Sequence, residues 1–198
     1  MQALSRRRDD LRRLAAGEKT RLAAPGLTAA VRKSLARVVA FLAKEADRLQ
    51  GQADALVAAD EGLYAGRELL RTIPGVGPVA ANAILAELPD PARFATAQQA
   101  AAYAGLAPRE YRSGTSVRKR TRLSKAGNAR LRKALYLPAL AATRFNPLVA
   151  AFYQRLVAAG KPKMAAVGAC MRKLLMIAYG VLRSGTPFDP ARGQKMTA

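Results

Sequence analysis

The sequence predicts an all-α fold that carries one irregular basic insertion. Leucines recur every seven residues at Leu35, Leu42, Leu49 and Leu56, which is typical of a helix packed against another helix. Apolar side chains at helical spacing return after residue 128, between breaks at glycine and proline. Residues 109–125 lack such a stripe and contain glycine, β-branched residues and alternating charge. We therefore expect them to form an extended loop or an irregular hairpin.

The first predicted helix covers residues 4–22. Its apolar side is expected to consist of Leu4, Leu11, Leu14 and Leu22. Pro25 and Gly26 break the helix, because proline cannot donate a main-chain hydrogen bond and glycine disfavours the helical conformation.

The second predicted helix follows the N-cap Thr28 and runs to about Ala59. Val31 and Val38 fall at the contact positions between its leucines, but Glu45 and Gln52 occupy the next two such positions. The pattern fits an antiparallel hairpin with the first helix, or a contact between two copies of the chain. We interpret residues 1–60 as a coiled-coil or helical linker, and both arrangements stay open.

A tight turn joins two short apolar helices over residues 69–88. The first helix is predicted for about residues 62–72, and the second continues to about Leu88. Between them lie Gly75 and Gly77, which let main chain approach a phosphate, while the second helix offers unpaired N–H groups. The segment resembles the helix-hairpin-helix of DNA-repair proteins, and such a contact reads no base sequence. The alternative is a purely structural turn.

Further helices follow, each with its own start or stop signal. A capping box at Thr96 and Gln99 precedes a helix over residues 98–103, and helix resumes near Asn128 with a kink expected at Pro138. Asn146 and Pro147 begin a helix to about residue 159, Pro162 begins the last helix to about Arg183, and residues 191–198 are expected to be a loose tail.

Charge and composition point to a polyanionic partner. The chain has 34 Lys and Arg against 13 Asp and Glu, with a net charge of +21. It contains no His, which excludes Ser-His-Asp hydrolysis and His-ligated metals within these residues. Cys170 is the single cysteine, so neither an intramolecular disulfide nor a cysteine-clustered zinc site can form. No uncharged apolar run reaches 18 residues, and we expect no membrane span.

The basic excess is concentrated in residues 109–133, with 10 basic residues and 1 acidic residue. Such a block repels itself unless an anion is bound, and the alternative is a disordered basic loop. The candidate nucleic-acid-binding residues of the chain are Gly75, Gly77, Arg109, Arg112, Gly114, Arg118, Lys119, Arg120, Arg122, Lys125 and Arg130.

Three motifs around this block are similar to a known family. They are AAYAGLAPR at 101–109, RSGT at 112–115 and RLSKAGNARLR at 122–132. With FNP at 145–147, GKPK at 160–163 and MRKLL at 171–175, they resemble the C-terminal transposase domain of the insertion-sequence 110 family, also named with 116 and 902. The resemblance extends over roughly residues 4–190. It implies a C-terminal transposase domain at 61–190, DNA as substrate, a structured bridge RNA as partner, and a homo-oligomer in the bacterial cytoplasm, associated with the nucleoid.

By this resemblance Ser113 is the catalytic nucleophile. A serine hydroxyl can attack a phosphodiester and hold the strand as a covalent phosphoserine, and nearby arginines stabilise the charge that develops. Gly114 would let the phosphate approach. Ser116 and Ser124 are the rival hydroxyls, and Ser124 is expected near the start of the following helix.

The sequence departs from the family at its acidic residues. Family members begin with an RNase H-like domain in which four carboxylates bind divalent metal, and after Asp90 this chain has only Glu110 and Asp189. We expect a truncated transposase or half of a split one, with no cofactor in this chain, Mg²⁺ only in the missing domain, and no cleavage by the chain alone. The alternative function is a non-catalytic basic helix-hairpin-helix protein that binds DNA or RNA.

Overall fold

The computed structural model describes residues 1–113 and 117–191, and the side chains of residues 110–121 fall outside this description. The chain divides into two compact units, Met1–Glu61 and Gly62–Ala198. Apart from two short strands, the described elements are helices, which confirms the all-α class. Of the tail predicted at 191–198, all but Ala191 lies outside the described residues.

The first unit consists of two helices, α1 (Gln2–Leu22) and α2 (Ala29–Ala59). The side chain of Thr28 accepts a hydrogen bond from the Val31 amide, as expected of the predicted N-cap. Arg12 of α1 contacts Asp47 of α2 at 2.5 Å. Because Arg8 bonds Gln50, further along α2, the helices run antiparallel, which is one of the two arrangements that the leucine repeat allowed. A contact between two copies stays a prediction.

The contact face of these helices differs from the predicted one. Leu14 and Leu56 are 49% and 46% exposed, while their neighbours Ala15 and Val57 are buried. Val31 and Val38 are also exposed, so these four side chains do not line the contact between α1 and α2. The buried positions of α2 are Ala46, Leu49, Ala53 and Val57. Alanine at a contact position lets two helices approach closely. The spacing of the leucines does not predict these alanine contacts.

The second unit contains the remaining elements. Its helices are α3 (Glu61–Arg71), which begins at the unit boundary, α4 (Pro78–Glu87), α5 (Ala97–Tyr103), α6 (Ala129–Ala134), α7 (Tyr136–Phe145), α8 (Pro147–Ala158) and α9 (Lys163–Ser184). A single 3-10 turn, Pro91–Arg93, lies between α4 and α5. The strands β1 (Pro108–Ser113) and β2 (Val117–Leu123) pair between α5 and α6. The buried core is drawn from α3–α9, with Leu70, Ile84, Leu131 and Leu174 among its fully buried members.

Local signals in the sequence explain several of these boundaries. Thr96 and Asn146 cap α5 and α8 through side-chain oxygens that accept main-chain N–H groups. The helix around Pro138 breaks earlier than at the proline itself, since α6 ends at Ala134 and α7 begins at Tyr136. Proline has no N–H for the carbonyl four residues before it, and that carbonyl belongs to Ala134.

Helix α9 passes the length and composition test for a membrane span. An 18-residue window within Lys163–Ser184 has a mean hydropathy of 1.5. Of that window, 56% is buried inside the protein, and α9 supplies Cys170, Leu174 and Ala178 to the core. The core helix of a folded domain has the same composition as a span, so this test alone assigns α9 to neither, and the expectation of no membrane span stays a prediction.

Candidate nucleic-acid interface

The basic segment forms an antiparallel hairpin, which is one of the two conformations predicted for it. Its register places Arg109 opposite Arg122 and Arg112 opposite Arg118. A register shift follows Arg109, where one residue of β1 faces two of β2. The ladder therefore aligns two arginine pairs across the two strands. Arg109 and Arg122 are exposed.

The base of this hairpin is closed by main-chain hydrogen bonds between two loop segments. We call residues 103–107 and 124–128 the hairpin clamp. The Ser124 amide donates to the Ala107 carbonyl at 2.9 Å, and the Lys125 amide donates to Gly105 at 3.1 Å. The Asn128 amide donates to the Tyr103 carbonyl at 2.7 Å. The clamp thus joins the two motifs that flank the basic strands.

Two glycines make the clamp possible because no side chain would fit at their positions. A Cβ on Gly127 would lie 2.3 Å from the Tyr103 carbonyl oxygen, and φ at this residue is +135°. A Cβ on Gly105 would lie 2.8 Å from the Ala126 carbonyl oxygen, with φ at +68°. Both the close approach and the backbone conformation therefore require glycine.

Asn128 connects the clamp to two helices. Its side-chain oxygen accepts from the amides of Arg130 and Leu131, both at 3.0 Å, and so caps α6. Its amide group donates at 2.9 Å to the carboxylate of Glu87, which is 4% exposed at the end of α4. The predicted position of Asn128 at the start of this helix is confirmed. The sequence analysis does not predict the role of Glu87. The one indication was an acidic residue on an otherwise apolar helix, three positions after Ile84.

Two further contacts fix the ends of the hairpin to the core. The Arg132 guanidinium donates to the Ala104 carbonyl at 3.0 Å. Leu123, the last residue of β2, packs against Gly168 of α9, where a Cβ would come within 3.2 Å of the leucine side chain. The strands therefore leave the helical unit from a defined position.

The candidate serines occupy different parts of this arrangement. Ser113 is the last residue of β1 and pairs in register with Val117. Ser124 lies in the hairpin clamp, several residues before α6, whose N-cap is Asn128. Gly114 and Ser116 lie outside the described residues, as do the side chains of Ser113, Arg112, Arg118, Lys119 and Arg120. The role of Ser113 stays a prediction.

The remaining basic candidates lie near the hairpin base. Lys125 is exposed in the hairpin clamp and adopts φ +55°, a conformation that is uncommon for a residue with a side chain. Arg130 is half-buried in the first turn of α6. The hairpin and the start of α6 therefore present basic residues at one region of the chain.

The turn between α3 and α4 gives its two glycines different surroundings. A Cβ on Gly75 would lie 2.8 Å from the Ala142 amide nitrogen and 2.9 Å from the Pro138 carbonyl oxygen, and φ is +100°. The space beside Gly75 is therefore filled by α7. A Cβ on Gly77, which precedes α4 without a side-chain cap, would have no atom within 4 Å other than those of its chain neighbours. Phosphate binding at this turn stays a prediction, and the open position is Gly77.

The basic residue beside the turn between α3 and α4 forms an ion pair within its own helix. Arg71, the basic residue closest to the turn in sequence, contacts Glu68 of its own helix at 3.0 Å. Within residues 1–113 and 117–191, no three His, Cys, Asp or Glu side chains are grouped so that they could hold a metal ion.

Comparisons with known proteins match this part of the chain. Residues 67–154 match the model of the Transposase IS116/IS110/IS902 family. The pilin gene-inverting protein of Moraxella bovis is 41% identical over 123 residues, which are 61% of this chain and 38% of that protein. The 43.6 kDa insertion element IS110 protein of Streptomyces coelicolor is 31% identical over 156 residues, or 79% of this chain and 37% of that protein.

A third relative is the 42 kDa insertion element IS900 protein of Mycobacterium paratuberculosis. It is 33% identical over 160 residues, which cover 79% of this chain and 40% of that protein. The chain thus spans between 37% and 40% of the length of these three curated relatives. The family match includes the basic hairpin and both segments of the hairpin clamp.

Proposed function

Because this chain belongs, through residues 67–154, to the Transposase IS116/IS110/IS902 family, we propose that it is the DNA-binding part of a bacterial transposase that cleaves and rejoins DNA. In this proposal the partners are DNA, a structured bridge RNA and further copies of the chain, and the site of action is the cytoplasm, at the nucleoid. The relatives include a pilin gene-inverting protein and insertion-element proteins.

The observation that carries the proposal is the arginine ladder on the hairpin. Like charges opposite each other on neighbouring strands destabilise a hairpin, and here Arg109 faces Arg122 while Arg112 faces Arg118. A bound polyanion removes this repulsion. The hairpin clamp supports the proposal because it holds the ladder at a defined position on the helical unit, so that phosphate binding orders few additional groups.

The proposed chemistry uses Ser113, a role implied by the family resemblance. Its Oγ forms a bond to the scissile phosphorus as the hydroxyl proton leaves. The bond from phosphorus to the departing DNA oxygen breaks, and that oxygen takes up a proton to become a free hydroxyl. Attack by a DNA hydroxyl on the phosphoserine reverses the exchange and joins a new strand.

The described residues offer no group of carboxylates that could hold the divalent metal implied by the family. The proposal is that a separate acidic domain supplies the metal, and that this chain supplies the hydroxyl and the cationic surroundings.

Salt-dependent binding tests the DNA-binding part of the proposal. If the chain neutralises about 6 to 10 phosphates, the logarithm of the association constant falls with the logarithm of salt concentration at roughly 0.9 units per phosphate. The measurement is a fluorescence anisotropy titration of random-sequence duplex DNA at several salt concentrations. A slope near zero contradicts electrostatic binding by the hairpin.

Adduct formation tests the nucleophile. The chain is combined with the acidic domain of a family member and its RNA, and covalent protein–DNA species are separated under denaturing conditions. We expect Ser113→Ala to abolish the adduct and to leave DNA binding intact, whereas the matched Ser124→Ala retains both. An adduct that survives Ser113→Ala refutes the assignment.

The second candidate is a non-catalytic helix-hairpin-helix protein. One observation favours it: α4 begins beside Gly77 without a side-chain cap and with open space around the glycine. In this case no adduct forms under any condition, and Gly77→Val weakens binding by blocking a phosphate.

A further inference from the structure

Helices α8 and α9 place two cationic side chains around one aromatic ring. The Arg155 guanidinium lies 5.4 Å from the centre of the Phe152 ring, and the Lys173 ammonium lies 5.7 Å from the same centre. We call Arg155 and Lys173 the α8/α9 cation pair. Neither residue belongs to the basic hairpin or to the turn between α3 and α4.

No anion in the described part of the chain neutralises this pair. Two other cations also lie over aromatic rings, and both have an additional partner. Arg67, over Tyr64, contacts Glu68 at 3.3 Å, and Arg183, over Tyr179, donates to the Phe94 carbonyl at 2.6 Å. Within the described residues, the side chains of Arg155 and Lys173 make no hydrogen bond or ion pair.

The surroundings make the pair unfavourable when it stands alone. Lys173 is half-buried, and burial lowers its pKa because the charged form loses water. Arg155 lowers the pKa of Lys173 further by repulsion between like charges. Lys173 is thus partly desolvated and is repelled by the exposed Arg155, and an anion that contacts both cations offsets both effects.

We propose that the α8/α9 cation pair binds a phosphodiester group of a nucleic acid, as a contact separate from the hairpin. The inference rests on the proposed function, which makes nucleic acid the partner. Residues 134–198 support it, with 9 basic residues and 1 acidic residue. Lys161 and Lys163, exposed around the start of α9, extend the cationic charge.

Phe152 has a supporting role in this site. Its ring holds the two cations by cation–π contacts, which orders their long side chains before the ligand binds. The contact therefore recognises backbone charge and no particular base, as phosphate contacts do in general.

The test compares variants that remove charge with little change in size. The double variant Arg155→Gln/Lys173→Gln is titrated with random-sequence duplex DNA and with an RNA stem-loop at several salt concentrations. Loss of one phosphate contact lowers the slope of the salt dependence by about one unit. Arg183→Gln is the matched control, since it removes a cation over an aromatic ring whose guanidinium is already hydrogen-bonded, and its slope stays at the wild-type value.

A smaller slope with either probe supports the proposal and identifies which nucleic acid supplies the phosphate. An unchanged slope with both probes, while Arg109→Gln/Arg122→Gln lowers it, overturns this site and leaves the proposed function standing. A wild-type chain that binds neither probe overturns the proposed function itself.

Stability provides a second readout. The burial of its charge and the repulsion from Arg155 offset the cation–π contact of Lys173, so Lys173→Gln is expected to change the free energy of unfolding little while it weakens nucleic-acid binding. A lower free energy of unfolding combined with unchanged binding assigns Lys173 a structural role and overturns the proposal.

Discussion

Replacing Gly127 by alanine tests whether the hairpin clamp depends on close main-chain contact. The new Cβ would lie 2.3 Å from the Tyr103 carbonyl oxygen and 2.7 Å from the Gly105 amide nitrogen. Both atoms belong to the main chain of the facing segment, so neither can move aside as a flexible side chain would. We expect the Asn128–Tyr103 hydrogen bond to lengthen or break.

The magnitude follows from two separate costs. Placing an L-residue in a rarely populated conformation such as φ +135° costs about 1 to 3 kcal/mol. Forcing additional atoms into a packed site costs about 1 to 3 kcal/mol more. The expected loss in the free energy of unfolding is therefore about 2 to 6 kcal/mol. This is a large part of the roughly 5 to 15 kcal/mol that is typical of a folded domain.

Two control variants separate these costs. Gly160→Ala imposes a strained φ of +77° with nothing within 4 Å, so it carries strain alone, about 1 to 2 kcal/mol. Gly180→Ala, within α9 and also without neighbours within 4 Å, removes a flexible glycine from a helix and is expected to stabilise by about 0.5 to 1 kcal/mol.

The assay is urea unfolding followed by circular dichroism, together with hydrogen exchange at the Asn128 amide. Hydrogen exchange reports on the clamp itself, which is important because a chain of two units need not unfold in one step. If Gly127→Ala costs no more than Gly160→Ala and the Asn128 amide stays protected, the close-approach argument is refuted.

Three further predictions concern the second unit. Gly75→Ala should destabilise it in urea unfolding, because α7 fills the space beside this residue, whereas Gly77→Ala should change stability little, and equal losses would contradict this difference. Asn128→Ala should cost about 1 to 2 kcal/mol through loss of the cap alone, with a further loss from the broken hydrogen bond to the Glu87 carboxylate, and an unchanged unfolding midpoint would disprove the role of the cap. Burial raises the pKa of the Cys170 thiol to about 11, so on the order of one thiol in a thousand is ionised at pH 8; iodoacetamide should label the folded chain far more slowly than the chain in urea, and equal rates would show that the thiol is accessible.

The linkage of Cys170 to stability has a defined sign. The pKa of this thiol in the folded chain is higher than 9.0, the ordinary value for an exposed thiol. The stability associated with the neutral buried thiol is therefore fully present below about pH 9 and is lost as the pH rises towards 11.

Helix boundaries were predictable because their signals are local. Thr28, Thr96 and Asn146 cap helices through bonds to amides only two or three residues away. Pro138 predicts a kink within one helix, and the break lies at the Ala134 carbonyl, which cannot find its partner at the proline. Such signals depend on neighbouring residues alone, so the sequence contains all the information that they need.

The contact face of the first unit was harder to predict, because two alternative sets of positions on α2, each spaced by seven residues, both contain apolar side chains. The predicted phase passes through Glu45 and Gln52, whereas the observed one passes through Ala46 and Ala53. The two polar residues in the predicted phase were the signal against it. The prediction followed the regular spacing of the leucines, whereas small residues such as alanine often lie where two helices touch.

The hairpin clamp was beyond local reasoning. Gly127 contacts Tyr103, and Asn128 contacts Glu87, at sequence separations that no periodic pattern reveals. The motifs that contain these residues were recognised by family resemblance, and their physical role became visible only once the fold brought them together.

The clamp also separates two demands that are often in conflict within one protein. The hydrogen bonds that close it join main-chain atoms of residues 103–107 and 124–128, so closing the clamp requires no side chain between Arg109 and Arg122. In the proposed function the segment between these two arginines meets the nucleic acid. Substitutions between residues 109 and 122 would therefore change the surface offered to the nucleic acid while the main-chain bonds of the clamp remain available.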